Sequence, residues 1–259
     1  MGTKHVRQFH FPDEMDSATG IKRIHGLNYA IFHQGAMAYG EYSEYMKSHG
    51  CACCTLTTIL GAYVPHLYGI TPDKTITEIE KHVLGEETWE ANYSKPLKNQ
   101  MPISFMGIRK IMDHYGIAHR FVPMRVREKA HEDIAAHLET GRPVVIETSK
   151  IRYRGNLPAA VNDKKFAGSY HTMLIVGIEK DRDTVWVTDS ATRPWAGKMQ
   201  RLKRVSLEEL ITYMFPCVKP HNKHMYFHGR LNSGGYILIK QYPDNDELDH
   251  AYEDRKTRG

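Results

Sequence analysis

The sequence predicts an α+β fold, with a helical lobe over about residues 27–140 followed by an antiparallel β-sheet lobe over about residues 141–242. Before residue 140, apolar residues recur at spacings of three and four, as on one face of a helix. After it, short runs rich in β-branched and aromatic residues take over, bounded by Gly, Asp and Ser. Helices first and strands afterwards is the order of an α+β chain, and no internal repeat or low-complexity tract interrupts it. The 259 residues are therefore expected to form one two-lobed domain, with polar ends at 1–25 and 243–259.

The elements follow in order. Residues 1–25 read as a polar, extended lead-in, and the run LNYAIF at 27–32 as a short buried segment. The Gly-, Tyr- and Ser-rich stretch 33–50 suits a loop. The segment CACCTLTTILGAYV from Cys51 carries Leu56, Ile59, Leu60 and Tyr63 at helical spacing, so Cys51 is expected at or beside a helix N-terminus. Further helices are expected at 75–84 from a Thr75–Glu78 capping box, at 104–115 between Ser104 as N-cap and Gly116 as stop, and at 127–140 before Gly141. Strands are expected at 143–147, 171–179, 183–190, 198–206 and 235–242, with a short helix opening at Ser206 through a second capping box to Glu209.

Composition limits the function classes. A hydrophobic fraction of 41% with 10% aromatics can bury a core, which excludes a disordered chain. The charge of 35 − 30 = +5 is dilute, and no basic helix interleaved with aromatics appears, so no nucleic-acid partner is expected. No apolar run of about 18 residues is present, so no membrane partner is expected either. The N-terminal segment MGTKHVRQFHFPDEMD shows no signal peptide, and a cytoplasmic location is the expectation.

Three of the four cysteines crowd into GCACC at Cys51, Cys53 and Cys54. Cysteines so close together close no loop and point to chemistry instead. A cysteine attacks as thiolate, and a helix N-terminus with a nearby imidazolium lowers its pKa. The histidine must arrive in space rather than in sequence. His171 stands at the head of the apolar strand SYHTMLIVGIE, and one hairpin later the next strand ends in Asp189. A turn through Asp181–Asp183 would set His171 and Asp189 side by side, the aspartate fixing the imidazole tautomer.

In order and approximate spacing, Gln34-Gly35, Tyr39-Gly40, GCACCTLTTIL, ITPDKT, ETGRPVVIE, HTMLIVGIE and VWVTDS resemble the papain-like cysteine peptidases related to bacteriocin-leader-processing enzymes, over about residues 30–215. The resemblance implies a papain-like fold with Cys51 as nucleophile, His171 as general base, Asp189 as orienting acid and Gln34 as oxyanion-hole glutamine. It implies no cofactor and a peptide or small amide as substrate. The chain departs from the family pattern at Ala52-Cys53, where Gly-Pro is usual, at Ala36, where Asp is usual, and at Ser190, where Pro follows the acid. Acyl transfer to an amine on the same triad, and a catalytically inactive binding module, remain open beside hydrolysis.

Other features have weaker readings. Cys51 and Cys54 form a C-x-x-C pair, but a redox motif expects a preceding strand, which the loop at 33–50 does not supply. His221, His224 and His228 share a spacing that could bind zinc, yet no carboxylate or cysteine completes the set, so no metal is expected. Cys217 reads as an isolated core cysteine. Tyr39, Tyr42 and Tyr45 read as packing over the helix, with Tyr39 bordering the cleft as a substrate contact. The stretch 148–170 holds Lys150, Arg152, Arg154, Lys164 and Lys165 against Asp163 alone, and reads as a basic functional loop whose Lys164 and Lys165 contact an anionic substrate or leader.

Overall fold

The computed structural model describes residues 21–24, 27–35, 39–82, 105–148, 171–191, 202–214 and 235–240. The chain enters through a two-stranded ribbon in which β1 (Ile21–Ile24) pairs antiparallel with β2 (Leu27–Ala30). The lead-in expected at 1–25 thus contains a strand. Leu27 and Tyr29 alternate inward along β2 and bury completely, which accounts for the apolar segment seen in the sequence.

The stretch 33–50 holds regular structure where a loop is expected: a 3-10 turn at Gly40–Tyr42 and helix α1 (Ser43–His49). Its Gly, Tyr and Ser content masks a two-turn helix whose buried anchors are the adjacent pair Tyr45 and Met46. Helix α2 (Cys51–Tyr63) follows as expected, and all its residues but Gly61 are buried. A helix covered on every side must be apolar or internally satisfied all round. Its threonines meet that condition: Thr55 Oγ1 donates to Thr172 O at 3.3 Å, Thr57 Oγ1 to Cys53 O at 2.8 Å and Thr58 Oγ1 to Ala30 O at 2.7 Å.

Helix α3 (Pro72–His82) opens at Pro72, not at Thr75. Proline is pre-set for the first helical position, and Thr75 instead sits inside the helix with its hydroxyl bonded to Thr57 Oγ1 at 2.8 Å. Helix α4 (Phe105–His114) buries Phe105, Ile108, Ile111 and Met112 and ends before Gly116, whose φ of +69° suits the expected stop. Ser104, its expected cap, lies outside the described residues. Helix α5 (Arg127–Leu138) ends before Gly141, at φ +80°.

Beyond the ribbon, the described strands form a six-stranded antiparallel sheet. Its strands are β3 (His119–Pro123), β4 (Val144–Thr148), β5 (His171–Ile178), β6 (Thr184–Thr188), β7 (Lys203–Ser206) and β8 (Gly235–Ile239), in spatial order β3-β8-β4-β5-β6-β7. The sequence pattern missed β3, an edge strand whose charged and half-exposed HRFVP shows little alternation. The strand expected at 198–206 is described from Lys203 onward. Helix α6 (Leu207–Tyr213) begins as expected, with Ser206 Oγ accepting from Glu209 N at 3.1 Å.

Strands β4 and β5 are buried on both faces. Val145, Leu174 and Val176 pack toward α2, α3 and α4; Val144, Ile146, Met173 and Ile175 pack toward α5 and α6. The period-2 alternation of β-strands, feeding two separate cores, makes these strands continuously apolar in sequence. It also brings the N-terminal end of α2 against the head of β5.

Candidate active site

Cys51 is the first residue of α2, and α1 ends only two residues before it. Gly50 makes the junction: its N–H donates to Met46 O at 2.9 Å and its carbonyl accepts from Cys54 N at 2.8 Å. A Cβ at Gly50 would stand 2.5 Å from Met46 O and 2.8 Å from Met46 Cα, so only glycine fits. Thr55, one turn on, ties α2 to the β5 backbone, and Thr58 ties it to β2. The position of Cys51 is therefore fixed from both sides by buried hydrogen bonds.

His171 opens β5, and Asp189 follows the last residue of β6. The β5–β6 register sets Leu174 opposite Thr188, which carries His171 and Asp189 to the same end of the sheet. The hairpin closes as expected around Asp181–Asp183: Glu179 N donates to Thr184 O at 2.8 Å, and Asp181 accepts from Thr184 N at 2.8 Å, with Arg182 at φ 60°. His171 Nε2 donates to Asp189 Oδ1 at 2.6 Å, and both side chains are almost wholly buried. Cys51 lies close enough to the same imidazole to help raise its pKa. With Nε2 committed to Asp189, Nδ1 is the ring nitrogen left for the sulfur.

Burial alone would disfavour the imidazolium of His171. The hydrogen bonds and charges of Asp189 and Cys51 outweigh it and lift the group from 6.5 to about 9. Burial likewise opposes the Asp189 carboxylate, but His171 and Lys203 hold that carboxyl well below the usual range. Lys203 Nζ stands 2.6 Å from Asp189 Oδ2, and Ala191 N donates to Asp189 Oδ1 at 2.9 Å. Sequence reasoning missed Lys203, because only the β6–β7 pairing, with Lys203 opposite Val187, brings it to the carboxylate.

Gln34 is buried beside this group. Its backbone N–H donates to Ser190 O at 3.0 Å, its Nε2 to Lys47 O at 3.2 Å, and its Oε1 accepts from Ser190 Oγ at 3.0 Å. A primary amide carries two N–H donors, so one remains beyond the bond to Lys47. Tyr39, expected at the cleft, is 3% exposed and donates its hydroxyl to His33 O at 2.8 Å, bracing the segment that carries Gln34. Burial raises its phenol pKa and keeps that donor. Tyr42 bonds Glu80 Oε2 at 3.1 Å and Tyr45 is buried, both in keeping with packing.

Cys53 and Cys54 are buried and form no disulfide with each other or with Cys51, which is buried too. Burial raises the thiol pKa of both neighbours, so they keep their protons, and Cys53 Sγ donates to Pro72 O at 3.3 Å. Glu147 on β4 is a further buried acid, 2% exposed. Burial, and the charge of a Cys51 thiolate, push its pKa well above the ordinary value, so it is held as a neutral carboxylic acid. The run PVVIETS gives no sign of this, since its pattern marks a buried strand without showing which helix covers Glu147.

Among the described residues, no group of three or more His, Cys, Asp or Glu side chains is arranged to hold a metal ion, and no helix is long and apolar enough to cross a membrane. Lys164, Lys165, the rest of the basic stretch from 149 to 170, His221, His224, His228 and Cys217 lie outside the described residues.

The sequence matches the model of the Peptidase C39-like family over residues 27–213, a span that contains Gln34, Cys51, His171 and Asp189. Among solved structures, one described as a C39-like peptidase from Bacillus anthracis aligns over 55% of this chain and 62% of its own, at 11% identity and a TM-score of 0.34. No curated protein matches the sequence.

Proposed function

The chain belongs to the Peptidase C39-like family, and from that premise we propose that it is a cysteine hydrolase that cleaves a peptide or amide bond through a thioester on Cys51. One observation supports the reading: a thiol at a helix N-terminus lies beside a buried imidazole that is hydrogen-bonded to a carboxylate, Cys51, His171 and Asp189, with a glutamine amide next to them.

The chemistry follows from those groups. Asp189 holds His171 as imidazolium, which in turn favours the Cys51 thiolate. The sulfur attacks the carbonyl carbon, and the negative charge that develops on oxygen meets the second Nε2–H of Gln34 and the backbone N–H of Cys51. His171 gives its proton to the leaving amine as the C–N bond breaks, which leaves a thioester. Neutral His171 then takes a proton from water as that water attacks the thioester. The acid leaves, and the thiolate–imidazolium pair is restored. The buried Glu147, neutral in the resting site, adds no negative charge against the thiolate.

The substrate is proposed to be a peptide or small amide, and Lys164 and Lys165 are proposed to meet an anionic substrate or leader. Cys51→Ala should abolish cleavage of a peptide library read by mass spectrometry, with His171→Ala nearly as severe. Retained cleavage in Cys51→Ala would remove the mechanism. Release of the acyl group by added hydroxylamine against release by water would show whether an amine can intercept the thioester. Changing Lys164 and Lys165 to Gln should raise KM for acidic peptides, and an unchanged KM would remove that part of the proposal.

A further inference from the structure

We propose that Glu147 and Thr172 form the polar end of a substrate subsite beside Cys51, one that takes a cationic side chain, lysine or arginine, next to the bond that is cleaved. The proposal deepens the reading of Cys51 as nucleophile and rests on it.

Strand register and alternation place the pair. Glu147 on β4 lies directly opposite Thr172 on β5. Side chains two apart along a strand share a face, so Glu147 shares one with Val145 and Thr172 with Leu174, the face that packs toward α2. On α2, Thr55 Oγ1 donates to Thr172 O at 3.3 Å, which seats the start of that helix on the same spot. Cys51 lies four residues before Thr55, so it stands on the same side of α2, one turn nearer its N-terminus. The charge of Cys51 acts on Glu147, in keeping with that placement.

The chemistry of the pair selects the ligand. Glu147 is 2% exposed and Thr172 0%, yet Glu147 Oε1 and Thr172 Oγ1 have no hydrogen-bond partner among the described residues, not even each other. A buried polar atom left unpaired is costly. The cations of the site do not answer it, because His171 and Lys203 are both bonded to Asp189. A carboxyl and a hydroxyl side by side both offer lone pairs, which an ammonium with three N–H donors or a guanidinium with five can meet together. The incoming cation also supplies the counter-charge that a buried carboxylate needs, so Glu147 gives its proton to water and pairs with the ligand. An apolar side chain would leave both atoms unpaired. One basic residue beside the scissile bond is compatible with an otherwise acidic peptide.

The test uses the full chain and dipeptidyl chloromethyl ketones, which alkylate a cysteine nucleophile without needing turnover. Lysine, norleucine or glutamine is placed at either of the two peptide positions, with glycine at the other, and the alkylated residue is mapped by mass spectrometry. Norleucine matches the lysine stem without its charge. At one position lysine should react with Cys51 at least about tenfold faster than norleucine or glutamine, the scale of one hydrogen bond to a charged group. Glu147→Gln should bring the lysine-to-norleucine ratio to about one, and Thr172→Val, which removes one hydroxyl, should lower it about threefold. Each ratio is taken within one protein, so a general change in reactivity cancels. A wild-type ratio near one at both positions overturns the proposal alone, as does a lysine preference that glutamine matches or that Glu147→Gln keeps. Where Glu147→Gln does not fold, Thr172→Val decides: a lowered ratio supports the subsite and an unchanged one overturns it. A wild-type chain in which none of the probes alkylates Cys51 faster than a free cysteine removes the underlying reading, and the subsite with it.

Discussion

Replacing Asp189 with asparagine removes a charge from the site while keeping an oxygen that can accept from His171 Nε2. In the intact protein that oxygen stands 2.6 Å from the ring, and both side chains are within 2% of full burial, so solvent screens the pair little. Asp189 and Cys51 together raise the imidazolium from 6.5 to about 9 against the opposing effect of burial. At 1.36 kcal/mol per unit that rise corresponds to roughly 3 kcal/mol, and Asp189 supplies the larger part. An imidazolium weakened by about two units no longer holds the Cys51 thiolate at neutral pH. The midpoint for chloroacetamide alkylation should therefore move up by about two units, toward the ordinary thiol value near 8.5. At pH 6.5 the rate should fall roughly a hundredfold, and above pH 9 the variant should approach wild type. An unchanged profile would mean that Asp189 does not support the ion pair. A uniform loss at every pH would mean that the substitution disturbs the fold rather than the charge.

Turnover in the wild type should decline as pH rises through about 9, where His171 loses the proton it gives to the leaving amine; a rate still climbing at pH 10 would contradict this. Lys203→Met removes a cation 2.6 Å from Asp189 Oδ2, which frees the carboxylate to favour the imidazolium. Because the lysine is partly exposed, the shift should be small, lowering the alkylation midpoint by about half a pH unit, and an upward shift would refute the stated role. Glu147 carries a pKa well above its unfolded value, so its contribution to stability is fully present below about 4.3 and is lost progressively as pH rises toward the folded value. Glu147→Gln should therefore flatten the decline of Tm between pH 5 and pH 8 measured by thermal unfolding, and equal slopes in both proteins would count against a buried neutral acid. Gly50→Ala forces Met46 aside, and overpacking of this kind costs about 1–3 kcal/mol; a lower Tm together with slower Cys51 alkylation is expected, and unchanged values of both would show that the junction tolerates a side chain.

Local signals of high contrast made part of this arrangement legible in the sequence. The apolar period after Cys51 placed that residue at a helix start, and the strand-like runs SYHTMLIVGIE and DTVWVTDS placed His171 and Asp189 at the same end of one hairpin. Segments that depend on tertiary context were not legible. Helix α1 has two turns and one adjacent pair of buried anchors, too little for a periodic signal. Strand β3 is an edge strand with charged residues and a terminal proline, which weakens every strand cue. The start of α3 was misplaced because Thr75 and Glu78 have capping-box spacing, whereas Pro72 begins the helix three residues earlier. Lys203, Ser190 and Glu147 have no motif of their own. Lys203 and Ser190 meet their partners, and Glu147 is buried, only through strand register and packing, so their surroundings emerge once β4 to β7 and α2 are assembled.

The central claim is that Cys51 carries the acyl group between two chemical steps. Mixing the protein with p-nitrophenyl acetate, quenching in acid within the burst of p-nitrophenol, and mapping the acetylated peptide by mass spectrometry tests it directly. The account predicts a single acetyl thioester on Cys51, absent in Cys51→Ala, depleted in His171→Ala and discharged by water when the pH is restored. An acetyl group on another residue, or burst kinetics unchanged in Cys51→Ala, would contradict it.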